Sequence, residues 1–264
     1  MNPPTTPPVQ LGLCIMYPSP GALERIGADF DWVWLDGQHG QIAGYDTMLA
    51  MVRACQSIGK PAWVRVPSHE AAWIGLALDM GAEAVIVPQV ETVEDARAVA
   101  RAAKFPPIGN RSFGGRRAID RQGRAYLNSS NSSTKLICQI ESPEALQAAE
   151  SIAAVEGVDG LFLGSDDFLL RSGVDIVAGG GDTILAQATA KLAGICDPRG
   201  LSLVCVGAGA ASFRLAMENG ATHIVAGGDV GFLATGAKEA VRQAREILNS
   251  AAPTASPEEK SRLY

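Results

Sequence analysis

LALDMGAEAVIVPQVETVEDARAVARAA, residues 76–103, contains one complete unit of the fold. A helical apolar pattern ends near Met80 and Gly81 terminates it. The apolar run 84–87 reads as a short strand, and a second helical pattern starts at Val93. Outward from this unit the same alternation repeats. Strand-like runs lie at 11–17, 32–36, 62–66, 84–87, 135–140, 159–163, 201–206 and 223–226. Segments with helical periodicity lie at 20–26, 45–58, 70–80, 93–103, 143–153, 181–198, 211–218 and 234–248. Gly27, Gly59, Gly81, Gly157, Gly200 and Gly220 end helices just before the next strand. Eight strand–helix units in tandem predict an α/β fold, a closed (β/α)8 TIM barrel. The competing open doubly wound sheet lacks its signature, because no GxGxxG loop follows the first strand.

The chain has 264 residues, close to the roughly 250 typical of such a barrel. The expected organisation is a proline-rich tail over 1–9, one barrel domain over 10–250 and a polar extension over 251–264. Hydrophobic residues make up 47% and charged residues 19%, the balance of a soluble globular protein. A net charge of −6 opposes nucleic-acid binding, which needs a basic surface. The cysteines form no CxxC pair and sit largely in apolar runs, so a reduced, cytoplasmic setting is expected. The N-terminus has no signal-peptide pattern and no apolar stretch is long enough for a membrane span.

Residues 105–134 break the rhythm, with Arg111, Arg116, Arg117, Arg121 and Arg124 among glycines and serines. Connections this long without internal structure are usually functional or disordered. The segment, with its sequence NRSFGGRR, is expected to be a lid or subunit contact on the face that carries the polar residues described next.

His39, Arg65, Glu141 and Asp167 each stand where a strand-like run gives way to a loop. In a barrel these positions share the C-terminal rim, where active sites are built. Glu141 and Asp167, with Asp166 as an alternative in register, can share a divalent cation or serve as solvated loop acids. His39 in WLDGQHG can act as a base, its imidazole oriented by Asp36. Arg65 can clamp an anionic substrate or form an ion pair with Glu141 or Asp36. His69 reads as a capping or exposed residue, and His223 as structural at the opposite end of the barrel. The AGGD turn, 226–229, is a weak candidate for a phosphate site. Lys60, Lys104 and Lys135 fall away from the catalytic rim, so Schiff-base chemistry has no lysine there.

The ordered motifs LDGQHG, VRVP, LDMGAEAVIVPQVET, FPPIGNRSFGG, QIES and FLGSDDF resemble the HpcH/HpaI family of metal-dependent 2-oxo acid aldolases over roughly residues 10–240. The family pattern GPxDLS stands here as GSDDFL, and RGxG as RSFGG. The resemblance implies a barrel of the phosphoenolpyruvate/pyruvate type with the eighth helix swapped between subunits, in a homohexamer built as a trimer of dimers. It implies Glu141 and Asp167 as ligands of Mg²⁺, Mn²⁺ or Co²⁺, and Arg65 as clamp and enolate stabiliser. His39 and Asp36 correspond to an acid/base dyad. Gly164, Ser165 and Asp166 correspond to a backbone cradle for the substrate carboxylate, and Asp79 to a support for a neighbouring subunit's site. The implied reaction is reversible cleavage of a 4-hydroxy-2-oxo acid to pyruvate, or an analogue, and an aldehyde. The alternatives are an enzyme like citryl- or malyl-CoA lyases and a non-catalytic 2-oxo acid binding barrel.

Overall fold

The computed structural model describes residues 9–251. In it the apolar runs are eight parallel strands closed into a barrel in chain order. They are β1 (Gln10–Ile15), β2 (Trp32–Asp36), β3 (Ala62–Arg65), β4 (Ala84–Val87), β5 (Lys135–Ile140), β6 (Gly160–Leu163), β7 (Ser202–Val206) and β8 (His223–Gly228). β8 pairs with β1, so the sheet has no free edge. The predicted tail up to residue 8 and the extension from residue 252 lie outside the described residues.

Because side chains alternate along a strand, each run serves two cores. Leu13, Val33, Val64, Val85, Leu136, Leu161, Leu203 and Ile224 belong to the larger core, which includes the helix residues. Trp32, Trp34, Trp63, Ala84, Ile86, Ile137, Phe162, Val204 and Val225 form the barrel interior. Glycines make room for the larger side chains in this interior. A Cβ on Gly12 would lie 2.4 Å from the Trp32 ring, and one on Gly160 would lie 2.8 Å from Ile137.

The returning helices are α1 (Pro20–Ile26), α2 (Tyr45–Ser57), α3 (Ala71–Asp79), α4 (Val93–Ala103), α5 (Arg116–Gln122), α6 (Leu127–Ser133), α7 (Pro143–Ala153), α8 (Ser165–Arg171), α9 (Asp182–Cys196), α10 (Ala210–Glu218) and α11 (Asp229–Ala251). The described residues up to Asp229 form one compact unit and those from Val230 a second. Within α11, Arg242 pairs with Glu239 and Glu246 at helical spacing. Among the described residues no helix is long and apolar enough to cross a membrane.

The segment 105–134 corrects two expectations. It contains α5, α6 and a 3₁₀ turn at Arg124–Tyr126, and its Phe105, Phe113, Ala118, Ile119 and Tyr126 form a small separate core. It also lies at the N-terminal rim of the barrel, away from the strand ends that carry His39 and Glu141. A helix that returns to start the next strand must deliver its connection to that rim. Lys104 Nζ accordingly donates to Thr134 O (2.7 Å) and to Asp159 (2.7 Å), just ahead of β5 and β6. Arg117 Nε donates to Met80 O (2.9 Å), just after α3.

Candidate active site

Asp36 and Arg65 end β2 and β3 as register neighbours, both pointing into the barrel mouth. Neighbouring registry brings their side chains together. Arg65 Nε donates to Asp36 Oδ1 (2.8 Å) and Nη2 to Oδ2 (2.6 Å), with both residues buried. The guanidinium also lies over the Trp34 ring, 4.7 Å from its centroid. Of the two ion pairs open to Arg65, the structure therefore forms the one with Asp36. The Arg65 charge also reaches Glu141, whose carboxyl it lowers.

Asp36 Oδ1 also accepts from the backbone N–H groups of Gln38 (3.0 Å) and His39 (3.3 Å). The carboxylate thus shapes the β2–α2 loop and reaches His39 through its backbone, while the His39 side chain is exposed. An Asp36 that fixes the imidazole tautomer is replaced by an Asp36 that fixes the loop and the arginine.

Glu141 directly follows β5 and is 1% exposed, and neither of its carboxylate oxygens has a hydrogen-bond partner. Burial, reinforced by the nearby charge of Asp167 and opposed by Arg65 and Arg171, pushes its carboxyl up to about 7. A buried carboxyl without donors either keeps its proton or pairs with a cation. Asp167 stands half-buried in the first turn of α8, while Asp166 is exposed. Among the described residues no three His, Cys, Asp or Glu side chains converge. A two-carboxylate site fits a hard divalent ion such as Mg²⁺, which fills its shell with substrate oxygens and water.

Gly164, at the end of β6, is required by space: a Cβ there would lie 2.7 Å from Gln139 Nε2 and 2.9 Å from Glu141 Cγ. Its N–H donates to Ile140 O (3.0 Å) and is therefore used within the sheet. The expected three-residue cradle for a carboxylate reduces to the amides of Ser165 and Asp166, which open α8 and have no intrahelical acceptor.

The structure also adds residues that the motifs had not singled out. Gln139 precedes Glu141 by two positions, so strand alternation turns it inward, where its Oε1 is buried without a partner. Trp34 lies inward for the same reason, two positions before Asp36. Asp79 is at the opposite rim of its own barrel, paired with Arg111 (2.6 Å). Asp229 of the AGGD turn accepts from Tyr17 N (2.9 Å) and Met16 N (3.1 Å), bracing the β1–α1 loop. Cys55, Cys138, Cys196 and Cys205 are free and buried, and burial pushes each thiol up to about 12, which leaves none as a thiolate nucleophile.

Residues 21–235 match the model of the HpcH/HpaI aldolase/citrate lyase family. The chain is 34% identical over 251 residues to a 4-hydroxy-2-oxovalerate aldolase of Novosphingobium aromaticivorans, covering 91% of this chain and 92% of that one. The crystal structure of an HpcH/HpaI aldolase/citrate lyase family protein from Burkholderia cenocepacia J2315 superposes with a TM-score of 0.81 at 28% identity, covering 90% of this chain and 95% of that one. The fold alone extends to a citrate lyase β subunit from M. tuberculosis, complexed with oxaloacetate and magnesium, with a TM-score of 0.53 at 15% identity over 82% of this chain and 91% of that one.

Proposed function

Because the chain belongs to the HpcH/HpaI aldolase/citrate lyase family, we propose that its catalytic rim divides the steps of a reversible aldol cleavage among Glu141, Asp167, Arg65 and His39. The protein is a pyruvate aldolase, a carbon–carbon lyase that acts on 4-hydroxy-2-oxo acids. The observation that carries the division of roles is the buried, unpartnered carboxylate of Glu141 beside Asp167. These two side chains would hold a divalent cation, Mg²⁺, Mn²⁺ or Co²⁺, which when bound supplies Lewis-acid polarisation of the 2-oxo group.

The amides of Ser165 and Asp166 would orient the substrate carboxylate. His39, on its exposed loop, would take the C4 hydroxyl proton through a water molecule. The C3–C4 bond then breaks, its electron pair passes to the three-carbon fragment as an enolate, and the C4 carbon leaves as the aldehyde carbonyl. Arg65 would donate to the oxygen on which that negative charge grows. Its orientation is set in advance by Asp36 and Trp34, so little reorganisation is needed during the reaction. Protonation of the enolate at C3 gives pyruvate.

The assembly belongs to the same proposal: a trimer of dimers in which α11 is exchanged between neighbours and Asp79 supports an adjacent site. The exposed apolar side chains Leu233, Val241, Ile247 and Leu248 along α11 support the exchange.

The test is pyruvate release from a 4-hydroxy-2-oxo acid by metal-stripped protein, with Mg²⁺, Mn²⁺ or Co²⁺ added back. Activity is expected to return with the ion and to be absent in Glu141→Ala and Asp167→Ala at unchanged fold. Cleavage that ignores a chelator would overturn the proposal.

A further inference from the structure

The loops after β4, β5 and β6 are joined at one side chain. Glu91, in the β4–α4 loop, has one carboxylate oxygen on Ser142 Oγ–H and the other on Arg171 Nη1 (2.7 Å). Ser142 is the next residue after Glu141 and also caps α7 by accepting from Ala145 N (2.9 Å). Arg171 ends α8, one helical turn beyond Asp167. The two contacts of Glu91 therefore grip the two short elements that carry the candidate metal ligands.

The loop that presents Glu91 is itself constrained. Gln89, two residues earlier, has a φ of 56°, a left-handed conformation that a non-glycine residue adopts at some cost. Val90 between them is fully buried.

We propose that Glu91 is a positioning residue that sets the spacing of Glu141 and Asp167 for their cation by tying Ser142 to Arg171. The proposal rests on the metal reading of those two carboxylates. Glu141 has no hydrogen-bond partner of its own, so its aim depends on the turn that follows it. That turn is held by Ser142. The Arg171–Glu91 pair is partly exposed, with side chains 39% and 30% accessible, and such a pair adds little to overall stability. Its effect is expected in the geometry of the site.

A purely electrostatic role predicts something different. If Glu91 acted only as a nearby negative charge, Glu91→Asp would keep the effect. Likewise, removing the positive Arg171 would tighten a cation. If Glu91 ties the loops, Glu91→Asp shortens the arm and Arg171→Ala cuts it, so both weaken the cation.

The experiment measures Mn²⁺ binding to the metal-stripped full-length protein by the electron paramagnetic resonance of the free ion, in wild type, Glu91→Ala, Glu91→Asp and Arg171→Ala. Each variant is expected to weaken binding by about tenfold or more, the usual effect of losing an outer partner of a metal ligand. The metal-free melting temperature is expected to stay unchanged. Tighter or unaltered binding in Arg171→Ala, or full retention in Glu91→Asp, would overturn the proposal while leaving the metal reading intact. A wild type that binds no Mn²⁺ would overturn both.

Discussion

Arg65 is held from two directions, by the fork to Asp36 and by the Trp34 face, and this arrangement fixes what its substitution should do. Lysine offers a single ammonium, which cannot keep both contacts with Asp36 and still reach a substrate oxygen. Arg65→Ala is expected to stop both aldol cleavage and the exchange of pyruvate C3 protons with solvent, and Arg65→Lys to retain only a fraction of each. Undiminished exchange in Arg65→Ala would remove the residue from the enolate step. His39 is assigned a different task, so its loss should separate two reactions. Aldol cleavage is expected to slow by on the order of 10² to 10⁴ in His39→Ala, the range for losing a general base. Decarboxylation of oxaloacetate, a side reaction expected of a site that stabilises the pyruvate enolate, has no C4 hydroxyl to deprotonate and should fall much less; equal losses in both would make His39 a shaping residue. The sequence identified these residue types at strand ends, but it left Arg65 with two ion partners. The choice depends on the pairing of β2 with β3, a long-range register that no local pattern carries. The same register explains why Asp36, expected on the imidazole, lies on the guanidinium.

The strands and most helices were readable because each has an apolar face with a definite period. The boundaries of α4 and α7 agree with the sequence to the residue. Three seven-residue helices were missed: α8, whose buried Phe168 and Leu169 are too few to show a period, and two with almost no apolar face. Helices α5 (RRAIDRQ) and α6 (LNSSNSS) are seven residues each, too short to be stable alone, and are held by tertiary contacts. Asn131 in α6 accepts from Phe105 N (2.8 Å) and donates to Phe105 O (2.9 Å). Lys104, 1% exposed, anchors the start of the same segment on Asp159, Asn131 O and Thr134 O. Removing that ammonium takes a donor from the carbonyls of Asn131 and Thr134 and leaves Asp159, itself partly open to water, with the Leu136 N–H. Lys104→Ala should therefore destabilise the protein by about 2–4 kcal/mol, somewhat below a fully buried pair, as read by chemical denaturation. Inside the barrel the strain runs the other way. Gly12→Ala drives a methyl group into the Trp32 ring and should cost about 1–3 kcal/mol by overpacking. A neutral result would mean that the indole can shift within a looser interior.

Across the molecule the two rims have separate tasks: the strand C-termini carry the proposed chemistry, and the N-terminal rim carries packing. His223 belongs to the second. It starts β8, with its ring 5.0 Å from that of Trp63 and 6.1 Å from that of Trp32. Thr222 Oγ1 lies 2.9 Å from His223 Nδ1 and 3.1 Å from Leu203 O, so the neutral ring has a hydrogen-bond partner in either tautomer. Charging the ring puts a full positive charge in a half-buried site that also faces Lys135. Burial first, and Lys135 second, push the imidazole down to about 4, against a weaker pull from Asp31. A histidine whose folded pKa lies below its unfolded value near 6.5 binds more protons when unfolded. Its stabilising effect is therefore complete above about pH 6.5 and is lost as pH falls through about 4, with a total of roughly 3 kcal/mol. Unfolding free energies at pH 7 and at pH 4.5, in wild type and His223→Gln, measure this directly. The wild type is expected to lose more stability on acidification than the variant, by about 2–3 kcal/mol. Aldol activity at pH 7 should be the same in both, because the residue lies at the rim away from Glu141. Parallel acid losses in the two proteins would mean that the ring takes up its proton in the folded barrel without penalty, and the cause of acid sensitivity would then have to be sought among the carboxylates.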